Sequence, residues 1–411
     1  MNKNIFWFLV LVICLGFGIW GLGFWLGGCA STEKLTEAIA TTTSSSTTAS
    51  SSSTPTTSSS TSTNSAVTPT TTTVTIITLP YGDKWGQLGS LVATGTDGSV
   101  DLKISKGGDI YVAYTDQAGN NQAMVKKYSG SSWVPVGGAV STEKIYFSLS
   151  IAGDGTPYIG YSSGYPYGHC TLKKYDGSSW ITVANADVNA DGLIYLLAAD
   201  DGTPYLAYSD KVDGYKAKVL KYSGGNWTNL GGNASADGGV GGLRFFIYGN
   251  VPYLAYQDST LHGYLGTVRK YENGSWQTVG SAGFTSNIPD PIQLFVSDNI
   301  PYFAYPGTVM SYESSSNSWT TIATNEVGNL FVDNGTPYLA YVDNNANLIL
   351  KKYSNGTWVE VPPGGTITSQ VARCSLAIFN GIPYIAYSRA ESSNNYPFND
   401  YYIGTAVYTG P

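Results

Sequence analysis

Two histidines, His169 and His262, are the only imidazoles in the chain. Both follow a recurring Tyr-x-Ala-Tyr stretch. A zinc site or a Ser-His-Asp triad needs further partners at set spacings. No His-x-x-x-His, Cys-x-x-Cys or Gly-x-Ser-x-Gly pattern occurs. The two histidines are therefore expected to be surface loop residues. An aspartate also follows the recurring stretch in four copies, as Asp116, Asp210, Asp258 and Asp343. A ring of carboxylates can bind Ca²⁺, but carboxylates spread around a repeat stand too far apart for one ion. Asx-turns, in which each Asp accepts backbone N–H groups of its own loop, are the expectation. Cys170 and Cys374 fall in different repeats and are expected to be buried thiols without a disulfide. No metal site and no cofactor is expected. What remains for recognition is a set of unrepeated aromatics in the longer connections: Tyr165, Tyr167 and His169; His262 and Tyr264; Tyr396, Phe398, Tyr401 and Tyr402. Exposed aromatics stack on sugar rings or anchor a protein partner. Otherwise they pack the loops onto the scaffold.

The elements that must position these residues come from the recurring stretch. It reads Ile110-Tyr-Val-Ala-Tyr114, Pro157-Tyr-Ile-Gly-Tyr161, Pro204-Tyr-Leu-Ala-Tyr208, Pro252-Tyr-Leu-Ala-Tyr256, Pro301-Tyr-Phe-Ala-Tyr305, Pro337-Tyr-Leu-Ala-Tyr341 and Pro383-Tyr-Ile-Ala-Tyr387. Each copy (repeats 1 to 7 below) shows one succession. An apolar run and a tight turn precede the stretch. A loop then leads to a strand ending in Tyr, and a Gly/Ser turn to Trp and a last strand. That is four antiparallel strands per period. Tyr128, Tyr175, Tyr222, Tyr271, Tyr312, Tyr353 and Tyr408 end the third strands. Trp133, Trp180, Trp227, Trp276, Trp319, Trp358 and Trp85 open the fourth. Three residues after each Trp stands an aliphatic residue: Val136, Val183, Leu230, Val279, Ile322, Val361 and Leu88. The small Ala or Gly lets the neighbouring repeat approach, and each Trp needs a partner for its N–H.

A fixed period of this kind marks a solenoid, a propeller or an array. The pattern resembles propeller repeat proteins over residues 80–411. The resemblance implies an all-β, seven-bladed β-propeller. The Trp strand missing after Tyr408 would be supplied by the N-terminal strand at about 83–90, which closes the last blade. The turn before Trp, as in Tyr175-Asp-Gly-Ser-Ser-Trp180, is partly similar to the Asp-box of sialidase propellers. Its Asp and Gly are adjacent, however, and the chain has only four arginines, Arg244, Arg269, Arg373 and Arg389. The two connection types expected to share one face are shortest around repeats 5 and 6, which predicts a rim lowered there. Loops on a rigid scaffold are where binding sits.

Composition agrees with short strands and turns: 12% charged residues, 49 Gly and 32 Tyr. A net charge of −7 argues against nucleic acid. The lysine pairs Lys126-Lys127, Lys173-Lys174 and Lys351-Lys352 recur at one repeat position and are expected on a solvated outer strand.

Residues 5–28 are almost wholly apolar and end in Leu26-Gly27-Gly28-Cys29. This resembles the lipobox of bacterial lipoproteins. It implies that 1–28 is a signal peptide, or an uncleaved membrane-anchor helix, and that Cys29 is lipidated. Ala30, in place of Asp, points to the outer membrane. Residues 29–79 are rich in Ser and Thr and read as a disordered tether, spanning roughly 35–42 Å at 5–6 Å × √n. The sequence thus predicts an exported, membrane-anchored protein of the outer membrane or cell surface. It displays a monomeric binding module for glycan or a cell-surface protein. The alternatives are a scaffold in an envelope assembly and a glycan-active hydrolase or lyase. No catalytic residue can be picked out for the last.

Overall fold

A computed structural model describes residues 84–410, apart from 118, 143–145, 164–167, 237, 288–290, 325–327, 363–364 and 391–400. The lipobox, Cys29 and the Ser/Thr-rich tract lie outside the described residues. So do Tyr165, Tyr167, Tyr396 and Phe398.

The described residues are all-β, with 28 antiparallel strands among them. Five sheets of four consecutive strands span 146–187, 190–233, 240–278, 293–324 and 329–360. A sixth has eight strands. Four of them (Ala93–Ile104, Ile110–Asp116, Gln122–Tyr128 and Trp133–Pro135) belong to repeat 1. Val371–Phe379, Ile382–Ala390 and Tyr401–Tyr408 belong to repeat 7, and Trp85–Gln87 completes it. The N-terminal strand pairs with the last one, Trp85 opposite Tyr408 and Gln87 opposite Ala406. The first strand of each repeat lies beside that of the next, and that of repeat 7 lies beside that of repeat 1. These sheets follow one another as propeller-like blades.

Local chemistry accounts for the strands and turns. Asn-Gly tips such as Asn334-Gly335 take φ 46° and 72°, the left-handed pair that a two-residue hairpin demands. Each third-strand Tyr sits opposite its Trp and touches it edge-on or tilted, with ring centroids 5.1 to 5.8 Å apart. The core lies between repeats. One cluster joins Tyr111, Ala113 and Val125 of repeat 1 to Leu149 and Ile159 of repeat 2. Another joins Val112 and Tyr114 of repeat 1 to Ala386 and Ile403 of repeat 7. A fully buried Leu or Ile contributes about 1.5–3 kcal/mol, so stability resides in these junctions.

The tryptophans stitch the junctions. Trp Nε1 donates to the carbonyl of the aliphatic residue in the preceding repeat: Trp133 to Leu88 at 2.9 Å, Trp180 to Val136 at 2.7 Å, Trp276 to Leu230 at 2.7 Å and Trp319 to Val279 at 2.9 Å. Trp85 does the same to Val361 at 3.1 Å. Trp227 uses Asn185 instead, at 2.7 Å. The buried Trp358 Nε1 has no partner among the described residues, and nothing in the structure explains it.

The lysine pairs differ from the solvated-strand expectation. Both members are half-buried. Lys173 Nζ donates to the Val140 carbonyl at 2.7 Å, and Lys126 Nζ bonds the Val92 carbonyl in the equivalent place. Lys127 and Lys352 instead lie over the rings of Tyr111 and Tyr338, at 5.5 and 5.6 Å. The reason is the strand that carries them. It is covered on one side by the connection arriving from the preceding repeat, so the ammonium must find a carbonyl.

Burial raises the core tyrosines: Tyr111, Tyr205 and Tyr253 move upward, and Tyr114 is pushed up to about 12. The unfolded chain therefore releases these protons first, near the ordinary value of 10.0. Stability is fully present below that pH and falls as pH rises above it. Urea unfolding followed by tryptophan fluorescence should show a midpoint that drops steadily above about pH 10. A midpoint unchanged a full pH unit higher would contradict this.

Candidate functional site

The first strand of repeats 2 to 7 has one edge without a ladder partner, and that of repeat 1 pairs with the last strand only near its start, so N–H and C=O groups along this edge need satisfying. In every repeat the residue opposite the small Ala or Gly is polar: Asp101, Ser148, Tyr195, Arg244, Gln293, Asn329 and Ser375. These side chains reach across to the next repeat. Asp101 Oδ2 accepts from Leu149 N at 2.9 Å. Ser148 Oγ donates to the Leu196 carbonyl at 3.1 Å, and Tyr195 OH to that of Leu243 at 2.8 Å. Gln293 accepts from Leu330 N at 2.7 Å and also bonds the Gly328 carbonyl. Asn329 Nδ2 donates to the Cys374 carbonyl at 3.1 Å, and Leu102 N to Ser375 Oγ at 3.0 Å. Arg244 turns back toward repeat 3, donating to Tyr195 OH there and to the Leu243 carbonyl of its own strand, both at 2.7 Å. The result is a belt of side-chain hydrogen bonds along the inner strands.

Beside part of this belt opens a cleft of about 870 Å³. Its walls come from the first strands of repeats 1, 2, 5, 6 and 7, from the second and third strands of repeat 6 and from the turn at 343–344. It includes both repeats with shortened connections. Asp101, Gln293, Asn329 and Asp343 line it, together with exposed Arg373 and Tyr146, the latter 52% exposed. Its volume falls within the roughly 300–1,000 Å³ of small-ligand sites.

The cleft's polar groups are held in place. Asp101 is anchored by Leu149 N and by the Lys103 ammonium. Asp343 Oδ1 accepts from Asn345 N and Asn347 N, both at 2.8 Å, and Oδ2 from Asn347 Nδ2 at 3.0 Å. Cys374 Sγ accepts from Asn329 Nδ2 at 3.3 Å. Burial pushes the Cys374 thiol up to about 11, so at neutral pH it is not a thiolate nucleophile. Oriented amides, a guanidinium and an aromatic face suit recognition of hydroxyl-rich ligands.

Among the described residues, the histidines and aromatics singled out from sequence fall elsewhere. Exposed His169 places Nδ1 2.6 Å from Asp187 Oδ1 and borders a second cleft of about 440 Å³ with Val188, Asn189, Lys211 and Val212. His262 is half-buried, with Nδ1 2.8 Å from Asp258 Oδ2. Tyr264 is exposed and adopts φ 67°. Tyr401 opens the last strand and lays its ring against Gly98. None of these four lines the larger cleft. Asp210, Asp258 and Asp343 act as Asx acceptors for Val212 N, Leu261 N and Asn345 N. Cys170 is a buried free thiol, pushed up to about 12 by burial, and Cys374 is free and half-buried. Sequence reading missed Tyr146, Arg373 and the belt. Aligning the repeats on the first strand would have exposed the polar position, which the alignment on Tyr-x-Ala-Tyr left unread.

No family model and no curated protein matches the chain. Solved structures resemble it at low identity. A prolyl endopeptidase matches at 11% identity over 76% of this chain and 50% of its own, with a TM-score of 0.48. The chain thus spans half the length of that relative. The Aleuria aurantia lectin matches at 14% identity over 65% of this chain and 96% of its own, with a TM-score of 0.43. The extracellular domain of a putative one-component system from B. thetaiotaomicron matches at 11% identity, over 79% and 40%, with a TM-score of 0.49. These likenesses are too distant to carry a function from one protein to another.

Proposed function

We propose that the chain is a seven-bladed β-propeller acting as a non-enzymatic glycan-binding module, displayed from the outer membrane or cell surface by a lipidated Cys29. Seven copies of one four-stranded motif and the pairing of Trp85 with Tyr408 support the propeller reading. One observation carries the binding reading: the cleft beside the inner strands, where fixed amides and carboxylates face exposed Arg373 and Tyr146. Sugars present hydroxyls to such groups and an apolar ring face to an aromatic side chain. Both cleft carboxylates are tied to backbone N–H groups, an arrangement that orients a ligand rather than moving its protons.

The test is a glycan-array screen of the full chain in detergent, followed by titration of the strongest hit. Arg373→Ala is expected to weaken that hit about tenfold or more, the loss of one charged hydrogen bond. Its thermal midpoint should stay near wild type, because Arg373 is exposed. An array without hits, or a hit indifferent to Arg373 and Tyr146, would remove the proposal's footing. Release of a shortened product on incubation would move the protein to the hydrolase or lyase reading.

A further inference from the structure

Repeats 3 and 4 carry related loops between their second and third strands, one residue longer in repeat 4, and both end in a backbone conformation that a tyrosine rarely takes. In repeat 3 the loop starts at Asp210, whose Oδ1 accepts from Val212 N at 2.9 Å and whose carbonyl accepts from Tyr215 N at 2.8 Å. In repeat 4 it starts at Asp258, whose Oδ1 accepts from Leu261 N at 2.9 Å and whose carbonyl accepts from Tyr264 N at 2.6 Å. Gly214-Tyr215 closes the first loop and Gly263-Tyr264 the second. Tyr215 has φ 61° and Tyr264 φ 67°. Left-handed backbone is unfavourable for any side chain with a Cβ, and worse for a bulky one. Glycine would serve these turns at lower cost. Local strain of this kind concentrates where a side chain is needed in a set direction.

Both rings face solvent rather than the core. Tyr215 is 47% exposed and Tyr264 41%, and their loops also expose Val212 at 78% and Leu261 at 57%. The two tyrosines flank one short segment. Gly239 runs so close to the first loop that a Cβ there would stand 2.7 Å from the Gly214 carbonyl and 3.6 Å from Tyr215 Cβ. A Cβ at Gly241 would stand 3.3 Å from the Tyr264 ring. Small residues at 238–239 and 241–242 therefore bring the two loops up to the same backbone.

We infer that Tyr215 and Tyr264 form a second carbohydrate-binding surface, which takes successive sugar rings of a polysaccharide. The ligand class rests on the glycan reading above, while the site is separate from the cleft. The occupant follows from two features. A Gly-Tyr ending with a left-handed, exposed tyrosine occurs on both adjacent repeats, which matches a ligand that itself repeats. The patch is also only a few side chains across, whereas a stable protein interface engages roughly 20–30 residues a side.

The experiment is affinity electrophoresis of the full chain in detergent, through gels containing laminarin, xylan, galactomannan, hydroxyethylcellulose or hyaluronan. Wild type should be retarded by at least one polymer. Tyr215→Ala with Tyr264→Ala should weaken that retardation at least about tenfold, and each single variant should lose part of it. Tyr264→Gly, which removes the ring and suits the backbone, should lose affinity with its thermal midpoint within a few degrees of wild type. A double variant retarded like wild type overturns the second surface while leaving the cleft reading standing. Retardation by no polymer overturns it too. The cleft is then judged on its own by the Arg373→Ala titration with short oligosaccharides.

Discussion

Trp85→Ala is expected to destabilise the fold by about 3–5 kcal/mol, the range for truncating a buried Trp. Its indole is only 6% exposed, meets Tyr408 edge-on at 5.5 Å and donates to the Val361 carbonyl at 3.1 Å. Three losses coincide: the buried ring, the Tyr contact, and a carbonyl left without its donor. The informative comparison is Trp133→Ala, whose indole does the same work inside repeat 1, also at 6% exposure and bonded to Leu88. Urea unfolding of both variants should give similar shifts of midpoint. Equal costs would mean that a strand of three residues from the far end of the sequence is as integral as any internal one. A cost below about 1 kcal/mol for Trp85 alone would mean that the fold tolerates an incomplete last repeat.

Gly160→Ala is expected to cost about 3 kcal/mol, at the upper end for overpacking, although it adds a single methyl. Six repeats have Ala at this position, and repeat 2 has Gly. The reason lies in the neighbouring repeat. A Cβ at residue 160 would stand 2.1 Å from the Leu196 carbonyl oxygen and 2.8 Å from its Cβ. Backbone cannot swing away as a side chain can, so repeats 2 and 3 must separate. That same Leu196 carbonyl accepts the Ser148 hydroxyl at 3.1 Å, so one link of the inner belt is lost with it. Gly138→Ala is the control, because a Cβ there meets nothing within 4 Å. It should change stability by less than about 0.5 kcal/mol. Thermal or urea unfolding of the two variants decides the matter, and equal stabilities would contradict the close approach.

Much of the scaffold was legible because its information is local. Tyr175 and Trp180 flank one turn, and their contact follows from hairpin geometry. The pairing of Trp85 with Tyr408 was legible for a different reason: one repeat lacked a strand and a matching strand stood unclaimed. The indole partners were half legible. A donor in need of an acceptor and an aliphatic residue three positions on were both visible, but the bond joins one repeat's Trp to the previous repeat's aliphatic residue. No reading of a single copy can reveal that. The lysines misled because charge pattern reports polarity and not what covers a strand. The larger cleft was illegible for the same reason as the belt. Asp101, Tyr146, Asn329 and Arg373 are far apart in sequence and differ in type, so repetition hides them.

The meeting of the first and last described strands has a topological consequence. Thr409 donates to the Lys84 carbonyl through its N–H at 2.8 Å and its hydroxyl at 3.0 Å, so the first and last described strands end side by side. A circularly permuted chain, joined across Lys84 and Thr409 and opened at the exposed Gly224-Gly225 tip, would keep every strand pairing in place. The seam between the first and last described strands would then be an interior hairpin like any other.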